Sequence, residues 1–464
     1  MASHTDSSGD PIVGAFEETL RGPVFHPATG DEYDDVRAIY NGMIDKEPRV
    51  IVRCTDVADV IAAVTLGREH GLETAIRSGG HNGAGHALVD DGLVIDLSGM
   101  DGIRVDPDAK TARVEPGCTW GDVDHATHAF GLATVSGVVS TTGVGGLTLG
   151  GGHGYLTRQY GLTIDNLLSA DVVLADGRLV RASREEHPDL FWALRGGGGN
   201  FGVVTSFEFR LHPVETVIGG PMIWPIDRLE STMRWYRDWL PRAPEDVYAF
   251  YLTGEVPGAP FPPEIHGEKI CGLVWCCTGS EERADGALRE ARTVAEPLFE
   301  HVDPMPYPAI QSVFDDIYPP GDQWYWKGDF VAELSDDAVA VHERFAEVPT
   351  TQSFMHLYPI DGAASRVDAD ETAWNYRDAT WSMVIAGVDS DADNDDLITD
   401  WAREYWEAFH PHSAGGSYVN FMMDEGGDRI RATYGDNHDR LRAVKAQYDP
   451  DNFFHVNQNI EPAA

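Results

Sequence analysis

The sequence predicts an α+β chain of two or three domains, and three observations carry that reading. A strand–helix–strand unit over residues 48–77 is followed by further strands, without the alternation of a regular βαβ series. Glycine clusters at 79–80, 143–154 and 196–202 mark the first 215 residues. From about 216 to 420 they give way to aromatic residues, amphipathic segments and proline-rich turns. The 464 residues are ample for a large core, and 42% hydrophobic content with 12 tryptophans excludes a disordered chain.

Residues 48–53 read as a strand. In 56–70, Val57, Val60, Ile61 and Val64 recur at helical spacing, and Gly71 ends the helix. Residues 74–77 form a strand that delivers Arg77-Ser78-Gly79-Gly80-His81-Asn82, a glycine turn ending on a potential nucleophile. Strands at 93–97 and 111–115 precede a helix at 121–130. After the long glycine run, 168–175 and 179–182 pair as a hairpin about Asp176-Gly177. A helix at 190–195 and a strand at 203–211 follow, and His212-Pro213 closes the unit. Beyond it, 229–240 and 281–295 are amphipathic helices, 271–275 is a short strand, and 436–447 is a helix before the tail 452–460.

The net charge of −42 is spread along the chain, and Lys occurs only at 46, 110, 269, 327 and 445. Such like charge repels itself in dilute buffer and is screened at molar salt, where the Debye length is about 3 Å. The pattern predicts the cytoplasm of a salt-accumulating microbe. It excludes a nucleic-acid partner, because no basic patch exists to release phosphate counterions. No run approaches the roughly 20 apolar residues of a membrane span. The first 20 residues lack the basic and apolar regions of a secretory signal, so the first ten or so read as a disordered leader. Five irregularly spaced cysteines fit neither a disulfide framework nor a zinc ribbon, and no H-E-x-x-H occurs, so no metal site is expected.

The stretch from Ser140 to Tyr160 is the most informative. Glycines at 143, 145, 146, 150, 151, 152 and 154 let backbone approach a ligand, and clustered N–H groups suit a diphosphate. A Rossmann fingerprint needs a strand before and a helix after its glycines. No apolar strand precedes Gly143, and residues 147–155 are too glycine-rich for a stable helix. A flavin is therefore expected over a nicotinamide; a nicotinamide dehydrogenase and a flavin-bearing protein without turnover are the alternatives.

RSGGHN, GVGGLTLGGGHGYLTRQYGL, FWALRGGGGNFGVV and YDPDNFFHVNQNI together resemble the berberine-bridge-enzyme-like group of FAD-linked oxidases. That group includes 6-hydroxynicotine oxidase and oligosaccharide oxidases, within the vanillyl-alcohol-oxidase-type superfamily. The resemblance covers roughly 40–215 and 415–461. It implies an FAD-binding domain at 41–215 after a leader and first helix at 1–40. A substrate domain with an antiparallel sheet backed by helices follows at 216–415, and 416–464 returns to the FAD-binding domain.

The same resemblance implies the site. Arg77, Ser78, Gly79, Gly80, His81 and Asn82 hold the flavin, with His81 bonded to its 8α-methyl. Val139 stands where many relatives carry a second, cysteine link, so a single attachment is expected, and Cys118 reads as a core thiol. Ser140, Thr141, Thr142, Gly143, Gly145, Gly146, Gly150, Gly151, Gly152, Gly154 and Tyr155 cradle the diphosphate and flank the ring. Gly202, Val203 and Val204 line the adenine or ribose side, and Asn457 and Asn459 approach the ring from the tail. Tyr418, in Ser417-Tyr418-Val419-Asn420, matches the base that assists hydride removal from a C–OH or C–N carbon of a small substrate. Lys327 or Arg377 would lower its pKa, and His153 and Tyr155 are further candidates. Trp324, Tyr325 and Trp326 read either as a stacking platform or as interior packing. Dioxygen or another acceptor takes the electrons; Thr142 occupies the position linked to oxygen access, where Val or Leu is more usual. The residues leave substrate and oligomeric state open.

Overall fold

A computed structural model describes residues 9–464, so the expected leader lies outside the described residues except for Gly9 and Asp10. The chain forms three main sheets. In the first, Val50–Arg53 and Thr74–Arg77 flank Leu93–Asp96, parallel to both, and Val24–Phe25 adds an antiparallel edge. Val57–Glu69 is the crossover helix. Its N-cap Asp56 accepts from the N–H groups of Ala58 and Asp59, satisfying donors that a helix start leaves free. Gly71, with φ +64°, stops it as predicted. Leu93–Asp96 is buried along its whole length, as a parallel strand covered on both faces must be.

The second sheet is antiparallel, ordered Ile103–Asp106, Thr111–Val114, Val203–Arg210, Leu167–Val173, Leu179–Ser183. His212–Pro213 does more than close this unit: it pairs with Leu132–Ala133 as a small ribbon.

The third sheet has eight strands, all antiparallel. Its main path runs Phe299–Glu300, Thr216–Pro225, Lys269–Cys277, Val247–Glu255, Phe354–Pro359, Trp381–Asp389, Gln323–Val331, and Asp303–Pro306 adds to the second of these. One face packs against the helices Leu229–Trp239, Glu281–Arg292, Asp336–Arg344 and Asp395–Phe409 through Met222, Trp275, Met355, Leu357, Met383 and Ile385. Acidic pairs open three of these helices, at Glu281-Glu282, Asp336-Asp337 and Asp395-Asp396, where the helix dipole favours negative charge. The opposite face, with Tyr248, Phe250, Val274 and Tyr358, meets Val135, Tyr155 and Leu156 of the N-terminal part.

One expectation fails. Residues 147–155 read as too glycine-rich for a helix, yet Val144–Gly150 is helical. Tertiary contact outweighs propensity there: the Val144 N–H donates to the Cys118 carbonyl, and Asn420 donates to the carbonyls of Gly146 and Leu147. A Cβ at Gly79 would fall 2.5 Å from the Gly143 nitrogen, so the two glycine turns meet backbone to backbone.

The C-terminal helix His438–Tyr448 carries a fully buried Lys445, paired with Asp449 at 2.7 Å. Its ammonium also donates to the carbonyls of Asn200 and Phe454, fastening the tail to the third glycine cluster. The Ile460 N–H then donates to the Asn200 side chain at 2.9 Å. Among the described residues no helix is long and apolar enough to cross a membrane.

Candidate active site

The three glycine clusters, the tail and the inner face of the eight-stranded sheet enclose one cavity of about 330 Å³. Ser78, Gly79, Gly80, His81, Asn82, Thr142, Gly143, Gly145, Gly146, Gly202, Val204, Tyr418 and Asn457 line it together, although they span most of the sequence. The strand Thr74–Arg77 aims the His81 turn at it, and the His81 ring stacks on Tyr40 with centroids 3.9 Å apart. Burial pushes the His81 pKa down to about 4, against a smaller opposing hydrogen bond to the Thr141 backbone, so the imidazole is neutral at pH 7. Val139 also lines the cavity, whereas Cys118 is buried in the core.

The other predicted residues lie behind this lining. Arg77 is paired with the buried Asp96 at 2.7 Å and holds the turn from below. Ser140 is fastened by hydroxyl and N–H to Asp315, and Thr141 keeps a buried hydroxyl with no protein partner. Gly150 packs on Asn420, Gly151 on Trp374 and Gly154 on the Ser136 and Gly137 carbonyls. Val203 is in the core under the first sheet. Asn459 has a buried carboxamide oxygen without a partner but no place in the lining. Tyr155 turns away, against Tyr248 and Phe250, because its side chain fills the layer between the glycine segment and the sheet.

Tyr418 is the N-cap residue of the short helix Val419–Phe421. Its phenol oxygen accepts from the Asn420 amide at 2.7 Å and from the Gly152 N–H at 3.2 Å. Both favour the phenolate, yet burial outweighs them and raises its pKa above the ordinary 10. Neither cation proposed to tune it does so. Lys327 pairs with Glu425 at 2.6 Å, and Arg377 with Asp165 at 2.8 Å. His153 is 5% exposed, its ring centroid is 4.7 Å from that of Tyr418, and neither ring nitrogen has a protein partner.

The sheet supplies walls that the sequence did not reveal, Phe354, His356 and Tyr358 from one strand and Val384 from the next, and it brings Trp324 and Trp326 of the aromatic cluster to the same cavity from the third. Tyr325, between the two tryptophans, faces the other side, under Arg403. Phe314 and Tyr318 close the same end. The only signal for these was alternation within short strands, and which strands neighbour one another was not legible. Among the described residues no Asp, Glu, Lys or Arg lines the cavity.

Residues 48–183 match the model for the FAD binding domain, and 417–461 the model for berberine and berberine-like proteins. An FAD-linked oxidoreductase of Dictyostelium discoideum is 31% identical across 100% of this chain and 99% of its own length. The crystal structure of 6-hydroxy-D-nicotine oxidase from Arthrobacter nicotinovorans superimposes with a TM-score of 0.86 at 27% identity, covering 96% of this chain and 98% of that one. Xylooligosaccharide oxidase from Myceliophthora thermophila, in complex with xylobiose, gives 0.84 at 25% identity, covering 98% and 100%. With the vanillyl-alcohol-oxidase-type architecture and the glycine-lined cavity in place, these likenesses mean that the chain belongs to the berberine-bridge-enzyme-like family and is an FAD-dependent oxidoreductase.

Proposed function

We propose that this enzyme oxidises a C–OH or C–N carbon of a small organic substrate, with FAD attached through His81 alone and dioxygen or another acceptor taking the electrons. The observation that carries this is the meeting, in one cavity, of a neutral nucleophilic imidazole, glycine turns and Tyr418.

The residues fit the cofactor. A Cβ at Gly146 would meet nothing within 4 Å, so its backbone is open to a ligand, and the buried oxygens of Thr141, Asn457 and Asn459 have no protein partner. His81, with a free lone pair at neutral pH, is the covalent anchor, and Val139 permits no second bond. The open backbone at Gly146 would let the diphosphate approach closely. Bound FAD supplies the hydride acceptor and returns two electrons to the terminal acceptor. Tyr418 takes the substrate's proton; the Gly152 and Asn420 donors stabilise its oxygen as charge develops there. Its raised pKa places the active phenolate on the alkaline side of neutrality.

The division at 40, 215 and 415 belongs to the same reading, as does the cytoplasm of a salt-accumulating microbe, which the net charge of −42 supports. Anaerobic addition of small alcohols and amines tests the reaction. Bleaching of the flavin absorbance, reversed by air, is expected. No bleaching with any member of either class contradicts it.

A further inference from the structure

The substrate end of the cavity is walled by rings, and among the described residues none with a formal charge lines it. Trp324, Trp326, Phe354, His356 and Tyr358 project from the inner sheet face, around the short side chain of Val384. The Trp326 ring lies against Gly83, where a Cβ would be 2.4 Å from it, so the ring is held in place. His356 stacks on Phe354 at 4.1 Å and exchanges a 2.6 Å hydrogen bond with Tyr358. The neighbouring charges point elsewhere: Lys327, on the opposite face of its strand, pairs with Glu425, and Asp329 pairs with Arg429.

A charged ligand brought here would lose its water and find no counterion, which is strongly unfavourable. The backbone N–H groups of the sheet strands are committed to the ladder and offer no substitute for a counterion. An oligosaccharide needs polar partners around its whole edge. On this side Asn420 is the carboxamide, and its nitrogen is already engaged by Tyr418 and the carbonyls of Gly146 and Leu147. An amine would have to enter against its own protonation.

Three side chains at this end have buried nitrogens without a protein partner: the indoles of Trp324 and Trp326, which can only donate, and His153, which can both donate and accept. His153 is 5% exposed, lines the cavity, and has no partner on either nitrogen. Four rings hold it: Tyr418, Tyr358, Phe421 and Trp374, at centroid distances of 4.7, 5.3, 5.5 and 6.4 Å. A neutral imidazole offers one donor and one acceptor, and leaving such a group unpaired in the interior costs about 1–3 kcal/mol. A hydroxyl, which both donates and accepts, satisfies it.

Resting on the oxidoreductase reading above, we propose that the substrate is an uncharged aromatic alcohol, its ring stacked among Trp326, Phe354 and Tyr358 and its hydroxyl held by His153 beside Tyr418. The carbinol carbon loses its C–H as hydride and the hydroxyl loses its proton, leaving an aldehyde or ketone. With dioxygen as the two-electron acceptor the second product is hydrogen peroxide. His153 is thus a specificity-determining residue, and Tyr418 remains the base.

The experiment titrates holoenzyme with 4-methoxybenzyl alcohol, its deoxy analogue 4-methylanisole, 4-carboxybenzyl alcohol, benzylamine and xylobiose. Binding is followed by tryptophan fluorescence and turnover by anaerobic flavin bleaching. Only the first two are expected to bind well, and only the first to bleach the flavin. His153→Phe should weaken the alcohol about tenfold and leave 4-methylanisole unchanged, and His153→Gln, which keeps a donor and an acceptor, should restore most of the loss. Equal weakening of both ligands would overturn the role of His153. Preferential binding and bleaching by the carboxylate, the amine or xylobiose would overturn the substrate class and leave the oxidoreductase reading standing. Selective binding of the neutral alcohol with no bleaching by any compound would support the pocket and overturn the reaction.

Discussion

Along one strand, Phe354-Met355-His356-Leu357-Tyr358, alternate residues meet two different environments. Met355 and Leu357 are fully buried against the helices, in a close-packed cluster with Met383 and Ile385 of the next strand. Phe354, His356 and Tyr358 face the cavity, with Val384 beside them. The period of two divides the strand into a structural face and a ligand face. The first contributes stability through volume and the second contributes selectivity through rings, so substitutions on the two faces should separate these properties.

The largest effect is expected on the ligand side, at Tyr418. Tyr418→Phe keeps the ring and removes the proton acceptor, so kcat/KM should fall about 10²–10⁴-fold, the usual worth of general base catalysis, with an unchanged melting temperature. A melting temperature that falls along with activity would make Tyr418 a packing residue. On the structural face, Leu357→Ala should lower unfolding free energy by about 2–5 kcal/mol, measured by denaturant titration, and leave KM of the folded fraction unaltered.

A smaller effect sharpens the comparison at a polar contact between the helices Trp120–His128 and Tyr307–Gln311. Asp124, on the helix Trp120–His128, is buried; one carboxyl oxygen accepts from Gln311 at 3.1 Å and the other has no partner. Burial raises its pKa to about 8. Between about pH 4 and 8 the folded state therefore holds a proton that the unfolded state has released, and stability falls as pH rises across that window. Asp124→Asn should flatten the profile, giving about 1–3 kcal/mol more stability than wild type near pH 8. A difference between variant and wild type that does not change with pH would contradict the assignment. Smallest of all, removing the exposed Arg366–Glu245 pair should change stability by less than about 1 kcal/mol, and by nothing measurable in molar KCl.

Local signals made the N-terminal half legible. Val57, Val60, Ile61 and Val64 gave the crossover helix, and Gly71 its end; the strand Thr74–Arg77 was read at its observed bounds and led straight to His81. The helix Val144–Gly150 was missed because glycine propensity is a local property, while Asn420, nearly 300 residues on, helps hold that segment. The substrate walls failed for a related reason. Residues 354–359 and 381–389 read as ordinary chain, the cluster Trp324, Tyr325 and Trp326 left stacking and packing both open, and only the pairing of these strands brings Trp326 and His356 to one face. Parity also decided Lys327: one residue beyond Trp326, it faces away from Tyr418 and reaches Glu425 instead.

The central claim is that His81 anchors a flavin in this cavity by a single bond. Acid precipitation of protein purified in molar salt, with flavin absorbance read in pellet and supernatant, tests it most directly. Yellow in the pellet, mapping to one peptide that contains His81, is the expected result. Flavin released entirely into the supernatant, or bound to a different peptide, would contradict it.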